Sequence, residues 1–256
     1  MTLKKAYYGD YKETQRKRKI VIAVICVAIL LTIVTLLVAK QLHKNLTQGA
    51  SNVYFETEDT TSGFEIPIYS GNAFETVNND VPFFTDSELT VSAFESYSTL
   101  DSLGRCGVAY ACLGPETMPA EDRDAIGMVK PSGWHTVRYD DLIEDKYLYN
   151  RCHLIAYMLS GENANEKNLI TGTRYLNVAG MLPFEMSTAD YIRQTGNHVM
   201  YRVTPCFEGE NLVATGVLME AKSVEDDGNG LSFNAFVFNI QPGIVIDYLT
   251  GDSERE

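Results

Sequence analysis

From His198 onward the chain reads as a series of strands. Val199, Tyr201 and Val203 fall on one side of HVMYRVT, and residues 212–221, 231–239 and 244–248 carry further apolar runs of strand length. Glu208-Gly209 and Asp227-Gly228-Asn229-Gly230 stand between them, residue types that turn a chain back on itself. Short connections join antiparallel neighbours, so this part predicts an antiparallel sheet. Upstream the pattern is mixed. Residues 107–111 (GVAYA) read as a short strand, and Pro131-Ser132-Gly133-Trp134 as a turn followed by the chain's only Trp. Residues 146–153 (KYLYNRCH) suit a strand ending in polar residues, and 168–171 (NLIT) a second short strand. A helix is expected from about Thr173, interrupted or restarted by Pro183, with Met186, Ala189 and Ile192 at helical spacing. The expectation is one α+β domain over residues 66–254.

The N-terminal pattern is different. Ile20 to Ala39 contains no charged residue and is rich in Ile and Val. As a helix it spans about 30 Å, the thickness of a bilayer's hydrocarbon core. Seven Lys/Arg precede it, and only Lys40 and Lys44 closely follow, so residues 1–19 are expected to stay cytoplasmic and the rest to be exported. A cleaved signal peptide is the alternative. Its apolar core is usually shorter and no A-x-A-like site follows, which favours a retained anchor over 20–39. Residues 40–65 are polar, include Glu56-Thr57-Glu58-Asp59, and read as a solvated linker.

Charge complicates the functional picture. The chain carries 21 Lys/Arg against 34 Asp/Glu, and 13 of those basic and 32 of those acidic residues follow position 40. That balance opposes an extended phosphate footprint and by itself favours a surface protein without a nucleic-acid partner. Cysteines are less informative. Cys26 lies in the apolar span, and the other four (Cys106, Cys112, Cys152, Cys206) allow three disulfide pairings, among which spacing does not choose. No pair has C-x-x-C spacing.

The window from Tyr149 to Glu185, YNRCHLIAYMLSGENANEKNLITGTRYLNVAGMLPFE, holds the candidate chemistry. Asn150-Arg151-Cys152-His153 opens it, Asn168 begins NLIT, Asn177 lies nine residues further on and Glu185 eight beyond that. This ordered spacing resembles the DNA/RNA non-specific endonucleases of the ββα-metal (His-Me finger) type, which include a Serratia nuclease and the streptococcal DNA-entry nuclease. Their pattern is D-R-G-H, then N-[IL]-x-x, a metal-binding Asn and, in some members, a later acid. The C-terminal stretches LVATGVLMEAKSV and FNAFVFNIQPGIVIDYLTGD resemble the streptococcal type as well. Two positions depart from the pattern: Asn150 replaces Asp and Cys152 replaces Gly. The Asp is usually a supporting group, so its loss bears on fine positioning.

The resemblance implies Mg²⁺, with Mn²⁺ as a substitute, held by Asn177, and DNA as substrate with RNA left open. It implies His153 as base and Arg151 as phosphate stabiliser. The residue types support the same chemistry. A neutral imidazole takes a proton from water near neutral pH. Mg²⁺ takes oxygen ligands and is often held by few protein groups, which suits an Asn amide. Glu185, two helical turns along, can hold metal-bound water. Arg151 is planar and permanently charged, suited to a phosphate in the transition state. Asn168 is expected to support the loop by hydrogen bonding, with direct ligation as the alternative. Arg151, Lys167 and Arg174 form a local basic cluster in an acidic domain. Arg123, thirty residues before His153, lies where the family often places an auxiliary Arg, the alternative being a solvated charge. His135 and His198 lack such partners and are taken as structural, with His43 in the linker. Tyr147 and Tyr149 read as strand packing rather than base-stacking platforms. A Cys152–His153 nucleophile pair is excluded, since adjacent strand residues face opposite ways. Nothing reads bases directly, so contacts to phosphate and low sequence specificity are expected. The competing reading is an inactive anchored surface domain that binds a wall polymer or a partner protein.

Overall fold

The computed structural model describes residues 64–256. The tail (1–19), the anchor (20–39) and all but the last two residues of the linker (40–65) lie outside them. Among the described residues no helix is long and apolar enough to cross a membrane.

In chain order the strands are β1 (Phe74–Thr76), β2 (Phe94–Tyr97), β3 (Ala109–Leu113), β4 (Tyr149–His153), β5 (Leu169–Thr173), β6 (Val199–Cys206), β7 (Gly216–Ser223), β8 (Ser232–Phe238), β9 (Ile244–Ile246) and β10 (Ser253–Arg255). The helices are α1 (Tyr157–Ser160) and α2 (Leu182–Thr195), with a π-helical turn Leu176–Met181 leading into α2. Six strands form one sheet in the order β1-β8-β7-β6-β3-β2, every pairing antiparallel. The expected α+β architecture on an antiparallel sheet is therefore present.

The period of two in β6 has the predicted result. Val199, Tyr201 and Val203 enter the main core, where Val217, Met219 and Ala221 of β7 and Phe233 and Val237 of β8 meet them. The intervening residues are also covered. Met200 joins Tyr110 and Cys112 beneath Phe84, Leu89 and Phe94. Arg202, 5% exposed, is neutralised by Glu220 at 2.8 Å and Glu88 at 3.0 Å and lies over the Phe84 ring. Both faces of this strand are thus buried, and the cost of burying the guanidinium is offset by its pairing.

Strand ends differ from the sequence expectation for local reasons. Residues 212–215 do not extend β7, because Leu212 and Val213 donate to the carbonyls of Leu249 and Tyr248 instead. β6 continues through Pro205, which is tolerated because β3 pairs it only as far as Val203. The β7–β8 turn carries Asp227 and Gly228 at φ 55° and 81°, as its sequence suggests. The four described cysteines are free thiols, so none of the three pairings forms. They are dispersed: Cys106 and Cys152 lie in the main core and Cys112 on the opposite face of the sheet.

Candidate active site

β4 and β5 form a separate two-stranded antiparallel hairpin in which His153 opposes Leu169 and Asn150 opposes Gly172. Its inner side packs on the helical segment. Cys152 is fully buried, and a Cβ on Gly172 would collide with the Cys152 Sγ and Leu176, so this glycine of the neighbouring strand makes room for the cysteine. Asn239, fully buried, ties the hairpin to the main sheet. Its Oδ1 accepts from the Thr173 N–H at 2.9 Å, and its Nδ2 donates to the carbonyls of Thr171 and Ala214. Thr173 Oγ1 then accepts the Leu176 N–H at 2.9 Å and receives the chain as it turns into the helix.

The π-helical turn follows from Pro183. Proline offers no N–H and its ring crowds the carbonyl four residues back, so an α-helix cannot run through it unaltered. The Leu182 N–H bonds to the Asn177 carbonyl, five residues back, and the regular α2 begins with Pro183 in its first turn. Sequence reasoning expected an interruption here but not its form. Asn177 sits in the widened turn, and Glu185 follows in the first turn of α2.

A cleft of about 670 Å³ opens between hairpin and helix. His153, Arg151 and Asn150 from β4, Asn177, Glu185, Arg174 and Arg123 all line it. Two residues singled out in the sequence do not. Asn168 is fully buried, and its amide accepts the Ile155 N–H at 2.8 Å and donates to the Ile155 carbonyl at 2.9 Å. It therefore clamps the chain just past His153 and is not turned to the cleft. Lys167 stands on the neighbouring 3-10 turn Glu166–Asn168, outside the lining. The basic cluster is accordingly different from the one expected: Arg123 joins it, Lys167 leaves it, and Arg174 is paired with Asp145.

The His153 ring is held from both sides. Nε2 donates to the Asn163 carbonyl at 2.8 Å, and Arg123 Nη2 donates to Nδ1 at 3.3 Å. Because a carbonyl can only accept, Nε2 carries the proton and Nδ1 presents its lone pair. Burial, with the positive charge of Arg123 adding to it, pushes the His153 pKa down to about 4. The ring is thus neutral at pH 7. Glu185 is 7% exposed, and burial raises its carboxyl to about 8, with Arg123 acting in the opposite direction. Arg151 lies 4.0 Å over the Trp134 ring, and its Nε and Nη2 donate to the carbonyls of Val129 and Gly127. Nη1 remains for a ligand. Asn150 Nδ2 is buried without a hydrogen-bond partner among the described residues.

Sequence reasoning missed three contributors. The Asn163 contact is made by backbone, so residue type gives no signal. Trp134 was noted as a turn residue only, and Tyr157, whose hydroxyl donates to the Glu121 carbonyl beside Arg123, was not noted.

The cleft-lining residues that could ligate a cation through oxygen include Asn177, by its amide, and Glu185, by its carboxyl group. Among the described residues no group of three or more His, Cys, Asp or Glu is arranged to hold a metal ion. Such a set does not make a closed zinc cage, but it fits a hydrated divalent ion that takes few protein ligands. Glu185, buried with no hydrogen-bond partner among the described residues, is also the kind of group a cation would stabilise in its charged form.

A family model described as DNA/RNA non-specific endonuclease matches residues 87–225. Among solved structures, NucA from Streptococcus agalactiae is 26% identical with a TM-score of 0.64, covering 75% of this chain and 91% of that one in its metal-free form. The same nuclease with magnesium bound matches equally well, at a TM-score of 0.64. Sda1 nuclease with a bound zinc ion shares the fold at 24% identity and a TM-score of 0.59, covering 72% of this chain and 97% of that one. With more than half its length matched by the family model and the hairpin–helix cleft in place, the chain belongs to the DNA/RNA non-specific endonucleases and is a metal-dependent endonuclease.

Proposed function

We propose that the protein hydrolyses phosphodiester bonds of DNA, and of RNA as a second substrate, with little sequence preference, using Mg²⁺ or Mn²⁺. The observation that carries this is the orientation of His153. With Nε2–H committed to Asn163, the Nδ1 lone pair is the free basic site, and a neutral ring at pH 7 can accept the proton of an attacking water. Arg123, donating to that same nitrogen, moves toward a phosphate oxygen when substrate enters. Arg151 offers Nη1 to the phosphate while Trp134 and two carbonyls fix its plane. Asn177 would hold the metal ion, and Glu185 its water shell. The ion, when bound, stabilises charge developing on the phosphate and the leaving 3′-oxygen. Asn150 and Arg174 serve as donors at the edge of the cleft, and Asn168 fixes the strand end that carries His153. Products then bear 5′-phosphates.

The apolar run 20–39 and its basic flank support a membrane-tethered protein whose catalytic domain lies outside the membrane. The acidic balance of that domain fits an enzyme needing only moderate ground-state affinity, since catalysis depends on interactions that strengthen in the transition state.

Plasmid nicking by the full chain tests the proposal. Mg²⁺ should give nicks that a DNA ligase reseals directly, EDTA should stop nicking, and His153→Ala should remove it while the fold remains. A folded wild type that leaves DNA and RNA intact with every divalent ion would overturn the proposal and favour the surface-binding reading.

A further inference from the structure

The cleft extends well past the residues needed at one phosphate. Its lining includes Trp134, Thr136 and Tyr147 together with Arg174. A pocket of about 670 Å³ is of the size that encloses whole ligands rather than a single phosphate group. Tyr149 is packing, as the sequence suggested, for it is buried and its hydroxyl donates to the Gly251 carbonyl at 2.9 Å. Tyr147 is not. It is 45% exposed and lines the cleft. Its backbone is nonetheless fixed. The Tyr139 N–H donates to the Lys146 carbonyl and the Leu148 N–H to the Val137 carbonyl, while Leu148 itself is fully buried. An exposed aromatic ring is thus carried on backbone tied down by the isolated Arg138–Tyr147 bridge and its two hydrogen bonds. The Arg138 guanidinium, 5.3 Å from the ring centroid and bound to Asp140, supports it.

Tyr147 precedes His153 by six residues, a separation of at most about 20 Å, the fully extended length. Arg151 stands between them, and Arg174 also lines the cleft. Arginine donors and an exposed ring along one cleft match the alternation of phosphate and base in a single strand. They do not match a duplex, whose bases are stacked internally and present no free face.

We propose that Tyr147 stacks an unpaired base of the substrate several nucleotides from the cleaved phosphate, so that the enzyme favours single-stranded or locally opened nucleic acid. This rests on the nuclease reading above and adds a specificity-determining residue to it. Every base has a π-face, so the preference is for strandedness and not for sequence.

The test is binding to the full chain in EDTA, which separates recognition from cleavage. A fluorescently labelled oligothymidylate and a labelled DNA hairpin are compared by anisotropy, with quenching of the single Trp134 as a second readout. Loss of one stacked base weakens binding by about tenfold. Tyr147→Ala should therefore weaken oligothymidylate binding about tenfold relative to the hairpin. Tyr147→Phe should keep the wild-type ratio, and Tyr147→Leu, which keeps apolar bulk without a π-face, should behave as Ala. An unchanged ratio in both the Ala and Leu variants overturns the proposal, as does an equal loss for both probes. Cleavage of the same probes by wild type with Mg²⁺ is a separate outcome. Its absence counts against the nuclease reading, while the binding ratio still decides the role of Tyr147.

Discussion

The Asn163 carbonyl accepts the Nε2 proton of His153 at 2.8 Å, and this one backbone contact selects the nitrogen that can act as a base. The rest of the environment keeps that nitrogen unprotonated. The ring is 7% exposed, and Arg123 brings a permanent positive charge to its Nδ1 edge. An imidazolium there would be both poorly solvated and repelled.

Stability should record this as a function of pH. The His153 pKa is about 4 in the folded protein against 6.5 for the ordinary group. Above 6.5 the ring is neutral in both states and nothing is lost. As pH falls toward 4 the unfolded chain takes up a proton that the folded protein refuses, so stability declines across that window. A shift of this size corresponds to about 3 kcal/mol. Glu185 has the opposite sign, since its carboxyl is raised to about 8 and its contribution is lost as pH rises through that value. Comparing wild type with His153→Gln by urea unfolding removes the Glu185 effect from the difference. The wild type should lose about 3 kcal/mol more than the variant between about pH 7.5 and about pH 4. Parallel curves would show that burial does not depress the His153 pKa.

Asn168 and Asn177 should fail in different ways when replaced by Ala. Asn168→Ala leaves the N–H and carbonyl of Ile155 buried without partners, costing about 2–4 kcal/mol and loosening the chain next to His153. Asn177 is half-buried on the cleft, so Asn177→Ala should cost little stability. Nicking should drop in both. Only the Asn177 variant should need more Mg²⁺ to reach half of its own maximal rate, and only the Asn168 variant should melt early. Equal metal requirements in the two variants would remove Asn177 from the metal site.

That contrast also shows what the sequence could convey. The spacing from His153 through Asn168 and Asn177 to Glu185 located the hairpin and helix, because side-chain chemistry at fixed intervals survives in a one-dimensional record. Val199, Tyr201 and Val203 reported a sheet face for the same reason. What was hidden depends on backbone or on long-range closure. The Asn163 carbonyl has no residue signature. Asn239 anchors the hairpin from 66 residues beyond Thr173, and nothing local to it announces that role. Lys167 lies outside the cleft lining, because closeness in sequence to His153 and Asn168 does not fix which residues of a 3-10 turn border the cleft. Tyr147 was read as packing from its place in KYLYNRCH, but burial passes to Leu148 and Tyr149 instead.

The cysteines should be chemically quiet. Burial pushes the thiols of Cys106 and Cys206 up to about 11, that of Cys112 to about 12 and that of Cys152 higher still. The thiolate is the reactive species, so at pH 8 labelling of the folded protein should be slow at all four. Cys206, half-buried, should lead, and Cys152, fully buried, should come last. Peptide mapping after a timed exposure to a maleimide measures this order, and brief denaturation should make the four equally reactive. Disulfide-linked peptides in a non-reduced digest would contradict the free-thiol arrangement.

The salt dependence of binding follows from how few cations remain free to meet phosphate. Arg105, Arg138, Arg193, Arg202, Lys222 and Arg255 each have a carboxylate partner, and so does Arg174 at the cleft edge through Asp145. Arg123 and Arg151, both on the cleft, have none among the described residues; Lys130, Lys146 and Lys167 have none either, but they lie outside the cleft lining. Two or three phosphate contacts imply a slope of log affinity against log salt of about −2 to −3 for duplex DNA. Affinity should then fall about 15- to 60-fold between ~50 and ~200 mM salt. Arg123→Gln and Arg151→Gln should each reduce the slope by about 0.9. Arg255→Gln, which removes a surface partner of Asp141, should leave it unchanged. A wild-type slope steeper than about −6 would mean a much broader basic footprint than this cleft supplies. A shallow slope would explain how so acidic a domain engages a polyanion: it grips a short stretch of backbone with a few fixed arginines, and relies on the transition state for the rest.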